Sequence, residues 1–385
     1  MCVSKTILIC SLLFLNCFLI INCQTKTKSQ GHTKENAKEQ TIDRSLKDLV
    51  PYGLDLSTHR SNSSYVLVLG SGGLIGKNLV PALRKANYSV LEVTGRDHLD
   101  LRVENALTIF DNLEISMVYF LACEVGGSKF LSKKENSDII LKHNRQIHDC
   151  TFDYLEKRNL PFIFSSSSMV DDPSAYGTIK HEAEETISKL ENGRIVRFWN
   201  VYGVEPIGLK THVVPDWVQN CLLSINIPIV NSLLGSLPKL DEPALIHSLT
   251  DGNEKRQYLH TNDTVNGLIL MMKHFNSIDF PVDLGTGVWS DLRQLGQVLL
   301  NVSDNRCGVK FNEIKATERI IREPVLDTWF HRNYWLKEDF LSLDQGMKIV
   351  FNKMSKSFLI NRTSKYRAIL TVSLILIVFT IRLFF

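Results

Sequence analysis

Tyr176 and Lys180 stand four positions apart in the sequence, and Ser167 comes shortly before them. Residues four apart on a helix share one face, so the phenol and the ammonium group would lie side by side. The ammonium group is expected to lower the pKa of the phenol, and the phenolate could then accept a proton from a hydroxyl group. The Ser167 hydroxyl would bind and polarise the same oxygen. This spacing predicts a site of proton transfer at a hydroxyl-bearing carbon.

The segment before these residues predicts how Ser167 is positioned. Pro161–Phe164 has the apolar pattern of a buried strand, and it runs directly into the serines 165–168. Tyr-x-x-x-Lys pairs alone are common by chance. Here the pair follows a strand that ends in serines, and it lies about a hundred residues after a glycine-rich segment. That context favours an enzyme site.

The glycine-rich segment has the setting of a loop that binds phosphate groups. Tyr65–Leu69 predicts a strand, three glycines recur at every third position of segment 70–76, and a helical pattern follows. Gly70 would permit a tight turn, Gly73 would let the backbone approach a pyrophosphate, and Gly76 would let the helix pack closely. The free N–H groups of the helix N-terminus would face the phosphates. We expect a dinucleotide cofactor to contact Gly70, Gly73, Leu74, Ile75 and Gly76.

The end of the second predicted strand, Ser89–Thr94, bears on the choice of cofactor. NAD-binding domains usually place an acid there for the ribose 2′-hydroxyl, but this chain has Arg96 instead. An arginine suits a 2′-phosphate, so the sequence favours NADP over NAD. The alternative is that Arg96 is a solvent-facing turn residue. Asp100 and Leu101 follow and are expected at the adenine.

From about Tyr65 to about Leu300 the chain resembles the extended short-chain dehydrogenase/reductases of the NAD-dependent epimerase/dehydratase family. The resemblance implies an α/β fold, a Rossmann doubly wound parallel sheet with a smaller C-terminal substrate domain, and a nucleotide-sugar substrate. It implies that Ser167, Tyr176 and Lys180 are catalytic, with Tyr176 and Lys180 also touching the cofactor. Segments 197–203 and 256–260 resemble the family's substrate segments, in which Asn200 would face the substrate and Arg256 would meet its diphosphate.

Within that family, three segments resemble the GDP-fucose synthases: 94–101, 121–127 and 211–215. The second implies cofactor contacts at Leu121 and Ala122, and the third implies an acid/base role for His212. A plain loop histidine is the alternative at that position. The chain departs from the pattern after the active serine, where Met169 replaces a catalytic cysteine and Asp171 replaces a tyrosine. The resemblance therefore supports the reaction class and not the product.

Both ends of the sequence are apolar. We predict a signal peptide or anchor over residues 1–23, a flexible linker over 24–62, a Rossmann domain over 63–203, a substrate-binding domain over 204–360 with some strands returning to the Rossmann sheet, and a transmembrane segment over 366–385. A buried terminal helix is the alternative at the C-terminus. Lys365 and Arg367 favour a cytosolic side for the C-terminal flank, whereas a cleaved signal peptide places the body in the lumen. We expect a membrane of the endoplasmic reticulum or Golgi, with a lumenal catalytic domain favoured.

Composition and residue spacing give no support to several other classes of protein. A net charge of +3 gives no reason to expect a nucleic-acid partner, and no cysteine–histidine spacing predicts a metal site. Four of the eight cysteines lie in the body, and their scatter does not predict a disulfide framework. Five Asn-x-Ser/Thr sequons, a number expected by chance, decide nothing; two of them, at Asn87 and Asn262, are expected near the folded core.

Three functional hypotheses remain open from the sequence. The first is a membrane-associated enzyme that acts on a nucleotide-sugar with a nicotinamide cofactor. The second is a short-chain reductase of a sterol-like ketone, whose pocket would be apolar near Asn200 and Arg256. The third is a non-catalytic cofactor-binding protein, which Met169 and the short segment after Ser167 keep open. By analogy with the family, we also expect a homodimer through a helix pair that includes the Tyr176 helix.

Overall fold

A computed structural model describes residues 64–233, 243–315, 322–336 and 340–358. In chain order its strands are β1 (Tyr65–Leu69), β2 (Ser89–Val93), β3 (Ile115–Phe120), β4 (Phe162–Ser167), β5 (Gly193–Phe198), β6 (Val201–Tyr202), β7 (Ala244–His247), β8 (Lys255–Arg256), β9 (Leu259–His260), β10 (Val282–Leu284), β11 (Ser290–Asp291) and β12 (Cys307–Lys310). The helices are α1 (Gly76–Lys85), α2 (Ser128–Leu131), α3 (Ser137–Lys157), α4 (Ala175–Ile187), α5 (Val213–Leu233), α6 (Thr261–Lys273), α7 (Leu292–Val302), α8 (Trp329–Tyr334) and α9 (343–358).

Six of the strands form one parallel sheet in the order β10-β5-β4-β3-β1-β2. The direction of strand succession reverses between β1 and β3, which creates a crevice at their carboxyl ends. The glycine loop follows β1 and the segment beginning at Leu121 follows β3, so both border this crevice. The Rossmann doubly wound sheet expected from the sequence is confirmed.

Helices cover both faces of this sheet because the strands are apolar on both sides. Along β1, Leu67 faces a core shared with α3 and α4, whereas Val66 and Val68 face a core shared with α1 and α6. All five residues of β1 are buried. The sheet is therefore the rigid middle layer that holds the loops at its carboxyl edge in place.

A third core lies outside the main sheet and joins α5, α7, α9, β7 and β12. Its centre holds a disulfide between Cys221 on α5 and Cys307 on β12, with both residues fully buried and their Cα atoms 5.6 Å apart. The expectation that the body cysteines do not pair is wrong for these two. They are 86 positions apart, so only the packing of α5 against β12 brings them together.

The predicted signal or anchor segment, the linker and the C-terminal transmembrane segment all lie outside the described residues. Within the part of the chain that is described, none of the helices combines the length and the apolar character that crossing a membrane requires.

Candidate active site

A cleft of about 870 Å³ opens over the carboxyl edge of the sheet and extends to β7 and β8. The candidate residues from the sequence all line it. They are Gly70, Gly73, Leu74, Ile75, Gly76, Arg96, Asp100, Leu101, Leu121, Ala122, Ser167, Tyr176, Lys180, Asn200, His212 and Arg256. The structure thus brings the glycine loop and the Ser–Tyr–Lys set to one cavity.

The glycine loop is shaped by close backbone approaches. Gly70 has φ +91°, and a Cβ atom there would lie 2.7 Å from the backbone nitrogen of Ala122. A Cβ on Gly76 would overlap the Gly70 carbonyl, and one on Gly72 would overlap the Thr94 carbonyl. Sequence reasoning missed Gly72 because the need for glycine there comes from Thr94, which follows β2. At Gly73 a Cβ would only touch the Gly70 carbonyl oxygen at 3.4 Å, and the residue is exposed in the cleft lining.

The start of α1 fits the diphosphate of a nicotinamide dinucleotide. No side chain caps the helix at Ile75, and its first turn has no acidic residue. The amides of Lys77 and Asn78 donate to backbone carbonyls, and those of residues 74–76 are left for an anion in the cleft, where the helix dipole also favours negative charge. Because Gly73 is exposed and has no side chain, a ligand can approach its backbone.

Charged pairs cross the cleft where the adenosine end of a dinucleotide is expected. Arg96 is 54% exposed and its Nη2 lies 3.4 Å from Oε2 of Glu124. Burial raises the pKa of Glu124, but the Lys210 ammonium and Arg96 outweigh it, so the pKa is lowered overall. Asp100 accepts hydrogen bonds from the Arg102 guanidinium at 2.6 and 2.9 Å.

Sequence reasoning missed Glu124 because its partners Arg96 and Lys210 lie on other segments of the chain, and it also missed Arg102, which pairs with Asp100 two positions away. Arg96 and Arg102 thus line this part of the cleft, and each is paired with a carboxylate there.

Tyr176 lies in the first turn of α4, and the short segment after Ser167 sets its position. The Ser174 side chain caps the helix by accepting a hydrogen bond from the N–H of Gly177 at 3.3 Å. A Cβ at Gly177 would overlap the Asp172 carbonyl, so glycine permits the tight return of the chain. Further along α4, Glu184 accepts hydrogen bonds from Ser166 at 2.5 Å and from Arg197 at 2.9 Å. These contacts fix α4 against the ends of β4 and β5.

The Tyr176 phenol is hydrogen-bonded to Ser167, and the protein around it raises its pKa. Burial is the main cause, the nearby Cys123 raises the pKa further, and the Ser167 hydrogen bond lowers it in part. The sequence-based expectation that Lys180 lowers this pKa is not met. The ammonium group of Lys180 is buried, donates to the Ser165 carbonyl at 2.6 Å and lies 5.6 Å from the centre of the Tyr176 ring. It lies over the phenol ring, and burial remains the largest influence on the pKa of Tyr176.

His212 is oriented by a carboxylate that sequence reasoning did not identify. Its Nδ1 lies 3.0 Å from both carboxylate oxygens of Glu205, and its backbone N–H donates to the same carboxylate at 2.6 Å. The Glu205 side chain is 10% exposed and the His212 side chain is 38% exposed. Because Nδ1 faces Glu205, Nε2 is the ring nitrogen that remains to exchange a proton with a ligand. The sequence does not predict this contact, because both residues lie in an irregular loop and not at the regular spacing of a helix or strand.

The far end of the cleft carries the two residues expected at the substrate. Asn200 has φ +32°, a left-handed conformation that asparagine tolerates better than most residues, and its side chain is exposed. Arg256 is half-buried and donates to the carbonyl of Lys255 at 2.7 Å. Neither Arg256 nor Lys255 forms an ion pair with another described residue, and both line this end of the cleft together with the buried Glu254.

The positions that depart from the GDP-fucose synthase pattern have distinct surroundings. Met169 lines the cleft and donates its backbone N–H to the Ser167 hydroxyl at 3.1 Å. Asp171 lies 3.7 Å from Arg322, whose guanidinium pairs with the buried Asp283 at 2.7 Å. A free thiol does reach the cleft, but from Cys123 in the segment after β3.

The parallel sheet, the glycine loop and the Ser–Tyr–Lys set define an extended short-chain dehydrogenase/reductase. The model of the NAD dependent epimerase/dehydratase family matches residues 66–284, and the chain belongs to that family. No curated protein matches the sequence of this chain.

Solved structures with the same fold share little sequence with the chain. A GDP-6-OMe-4-keto-L-xylo-heptose reductase from Campylobacter jejuni is 16% identical, with a TM-score of 0.64 over 77% of this chain and 98% of that one. A UDP-glucose 4-epimerase from Thermotoga maritima, solved with UDP-glucose, is 19% identical, with a TM-score of 0.56 over 76% and 99%. A GDP-D-glycero-L-gluco-heptose synthase from C. jejuni, in the presence of NADPH, is 16% identical, with a TM-score of 0.62 over 76% and 99%.

Proposed function

We propose that the protein is an NADP(H)-dependent enzyme that oxidises or reduces a carbon of a nucleotide-sugar, as part of a reduction, epimerisation, dehydration or decarboxylation. NADP(H) is favoured over NAD(H) because Arg96 and Arg102 line the adenosine end of the cleft. One observation carries the proposal. The cleft that is lined by Ser167, Tyr176 and Lys180 also holds the glycine loop, the uncapped N-terminus of α1 and Arg256. The similar structures that act on GDP- or UDP-linked sugars support the substrate class.

When bound, the nicotinamide supplies the hydride acceptor or donor. The Tyr176 hydroxyl holds the proton that is exchanged with the sugar oxygen, and Ser167 fixes that oxygen beside it. Because burial raises the pKa of Tyr176, the phenol is stored in its acid form. Lys180 positions the phenol ring and the Ser165 carbonyl.

We assign His212 a second acid/base role, because Glu205 holds it with one nitrogen toward the cleft. Replacing Glu205 with glutamine keeps an oxygen that accepts the backbone N–H of His212 but removes the charge that orients the imidazole. We expect kcat to fall about tenfold or more, with KM and thermal stability nearly unchanged. Steady-state kinetics of E205Q against the exposed control E156Q would check this. Equal kcat values for E205Q and wild type would exclude the role of Glu205.

Arg256 and Lys255 distinguish a nucleotide-sugar from a sterol-like ketone. A diphosphate requires cations, whereas an apolar ketone would leave both of them unpaired when the cleft is filled. We expect R256Q to raise KM for a nucleotide-sugar, and the inhibition constant of the free nucleoside diphosphate, by roughly tenfold or more. The exposed R332Q lies outside the cleft and serves as the control. Inhibition by UDP and GDP that is unchanged in R256Q would contradict the assignment.

The proposal also covers the cellular location and the oligomeric state of the enzyme. We place it at a membrane of the endoplasmic reticulum or Golgi, held by segment 366–385, whose sequence is almost wholly apolar. A homodimer would form through α3 and α4, which pack together beside the sheet. Sedimentation of the detergent-solubilised chain would test the dimer, and carbonate extraction of membranes would test the anchor.

A further inference from the structure

The disulfide in the third core bears on the compartment in which the protein folds. Cys221 and Cys307 are both fully buried among apolar residues that include Trp217, Leu295 and Leu299. A buried bond of this kind forms while the chain folds, which requires an oxidising environment such as the lumen of the endoplasmic reticulum. The cytosol keeps such thiols reduced.

Three sequons lie on the described surface. Asn87 occupies the turn between α1 and β2, Asn262 is the second residue of α6, and Asn301 lies near the end of α7. All three asparagines are exposed, although Asn262 lies beside the buried Thr261 and Asp263, close to the folded core as expected. The sequons at Asn62 and Asn361 lie outside the described residues.

The positions of these asparagines leave the proposed active site open. None of the three lines the cleft, and none lies on α3 or α4, the helices proposed to pair in a dimer. A glycan at each would therefore point away from the cofactor and substrate. This arrangement is independent of the reaction that the cleft carries out.

We propose that the catalytic body is lumenal, that it carries the Cys221–Cys307 disulfide, and that it is N-glycosylated at Asn87, Asn262 and Asn301. Two observations carry the proposal together: a buried bond that needs an oxidising compartment, and acceptor asparagines that all reach the surface.

The order of events at two of these sites follows from burial. Thr264 and Ser303 supply the hydroxyl of the sequons at Asn262 and Asn301, and both are fully buried. Glycan attachment there must precede folding, as it does on a chain that is still entering the lumen. The fully folded body would then not be a substrate for attachment at these two positions.

The test uses the full chain expressed in a secretory eukaryotic cell. Enzymatic removal of N-glycans converts each modified asparagine to aspartate, so peptide mass mapping of the wild-type chain identifies the sites without any variant. We expect aspartate at positions 87, 262 and 301 after glycan removal. Each of N87Q, N262Q and N301Q should lose one step of the gel shift, and N112Q, an exposed asparagine outside any sequon, should lose none.

The disulfide is detected in the same preparation. Free thiols are alkylated first, the chain is digested without a reductant, and the peptides are identified by mass. We expect one linked pair of peptides that contains Cys221 and Cys307, with Cys123 and Cys150 alkylated. The proposal is overturned if Cys221 and Cys307 are alkylated without prior reduction. It is also overturned if the three body asparagines remain asparagine after glycan removal. Neither readout depends on catalysis, so a failure of the proposed reaction is distinguishable from a failure here.

Discussion

Replacement of Tyr176 by phenylalanine is expected to lower turnover by about 10²- to 10⁴-fold, the usual contribution of a positioned acid or base. The ring keeps its place beside Lys180, at 5.6 Å from the ammonium nitrogen, while the hydroxyl that exchanges the proton is lost. Cofactor affinity should change little, because the diphosphate is expected at the glycine loop. The measurement is kcat with the nucleotide-sugar that is turned over, together with a cofactor titration of the same preparation.

Y334F is the matched control, because Tyr334 stacks on His274 outside the cleft. It should keep wild-type turnover. Two results would contradict the account: Y176F within threefold of wild-type kcat, or Y176F that has also lost cofactor binding. The first would remove Tyr176 from proton transfer, and the second would show that the loss reflects the fold of the site.

The disulfide is expected to have the largest single effect on stability. A bond between positions 86 apart restricts the unfolded chain strongly, and its loss typically costs about 2–4 kcal/mol. We expect the double variant C221A/C307A to lose about this much free energy of unfolding in a denaturant titration. A reductant should destabilise the wild type in the same assay.

Cys150 is a free, half-buried thiol, so C150A supplies the control for removing a cysteine without removing a bond. C150A should remain sensitive to the reductant, whereas the double variant should not respond to it. If the reductant leaves the wild type unchanged and the double variant unfolds at the wild-type denaturant concentration, the bond does not stabilise the body.

Local patterns in the sequence predicted those features that depend on neighbours along the chain. The apolar run before Gly70 and the glycine spacing predicted β1, the turn and α1. The four-residue spacing of Tyr176 and Lys180 predicted that they share a face of one helix. Both relations follow from the geometry of regular structure, which a sequence expresses directly.

Features that depend on distant segments were not visible in the sequence. Gly72 is required because Thr94 of another segment approaches it, and Glu205 meets His212 only because an irregular loop turns back. The Cys221–Cys307 pair depends on the packing of two elements 86 positions apart. The raised pKa of Tyr176 is likewise a property of burial, which the Tyr-x-x-x-Lys spacing does not encode.

The most direct test of the central claim is to record the absorbance and fluorescence of bound NADP(H) while a panel of GDP-, UDP- and other nucleotide-linked sugars is added. Wild type and Y176F are compared side by side. We expect at least one nucleotide-sugar to change the nicotinamide signal in the wild type, and we expect Y176F, still loaded with cofactor, to show no such change. If the cofactor binds and no nucleotide-sugar alters its signal, the assignment of a nucleotide-sugar substrate is contradicted.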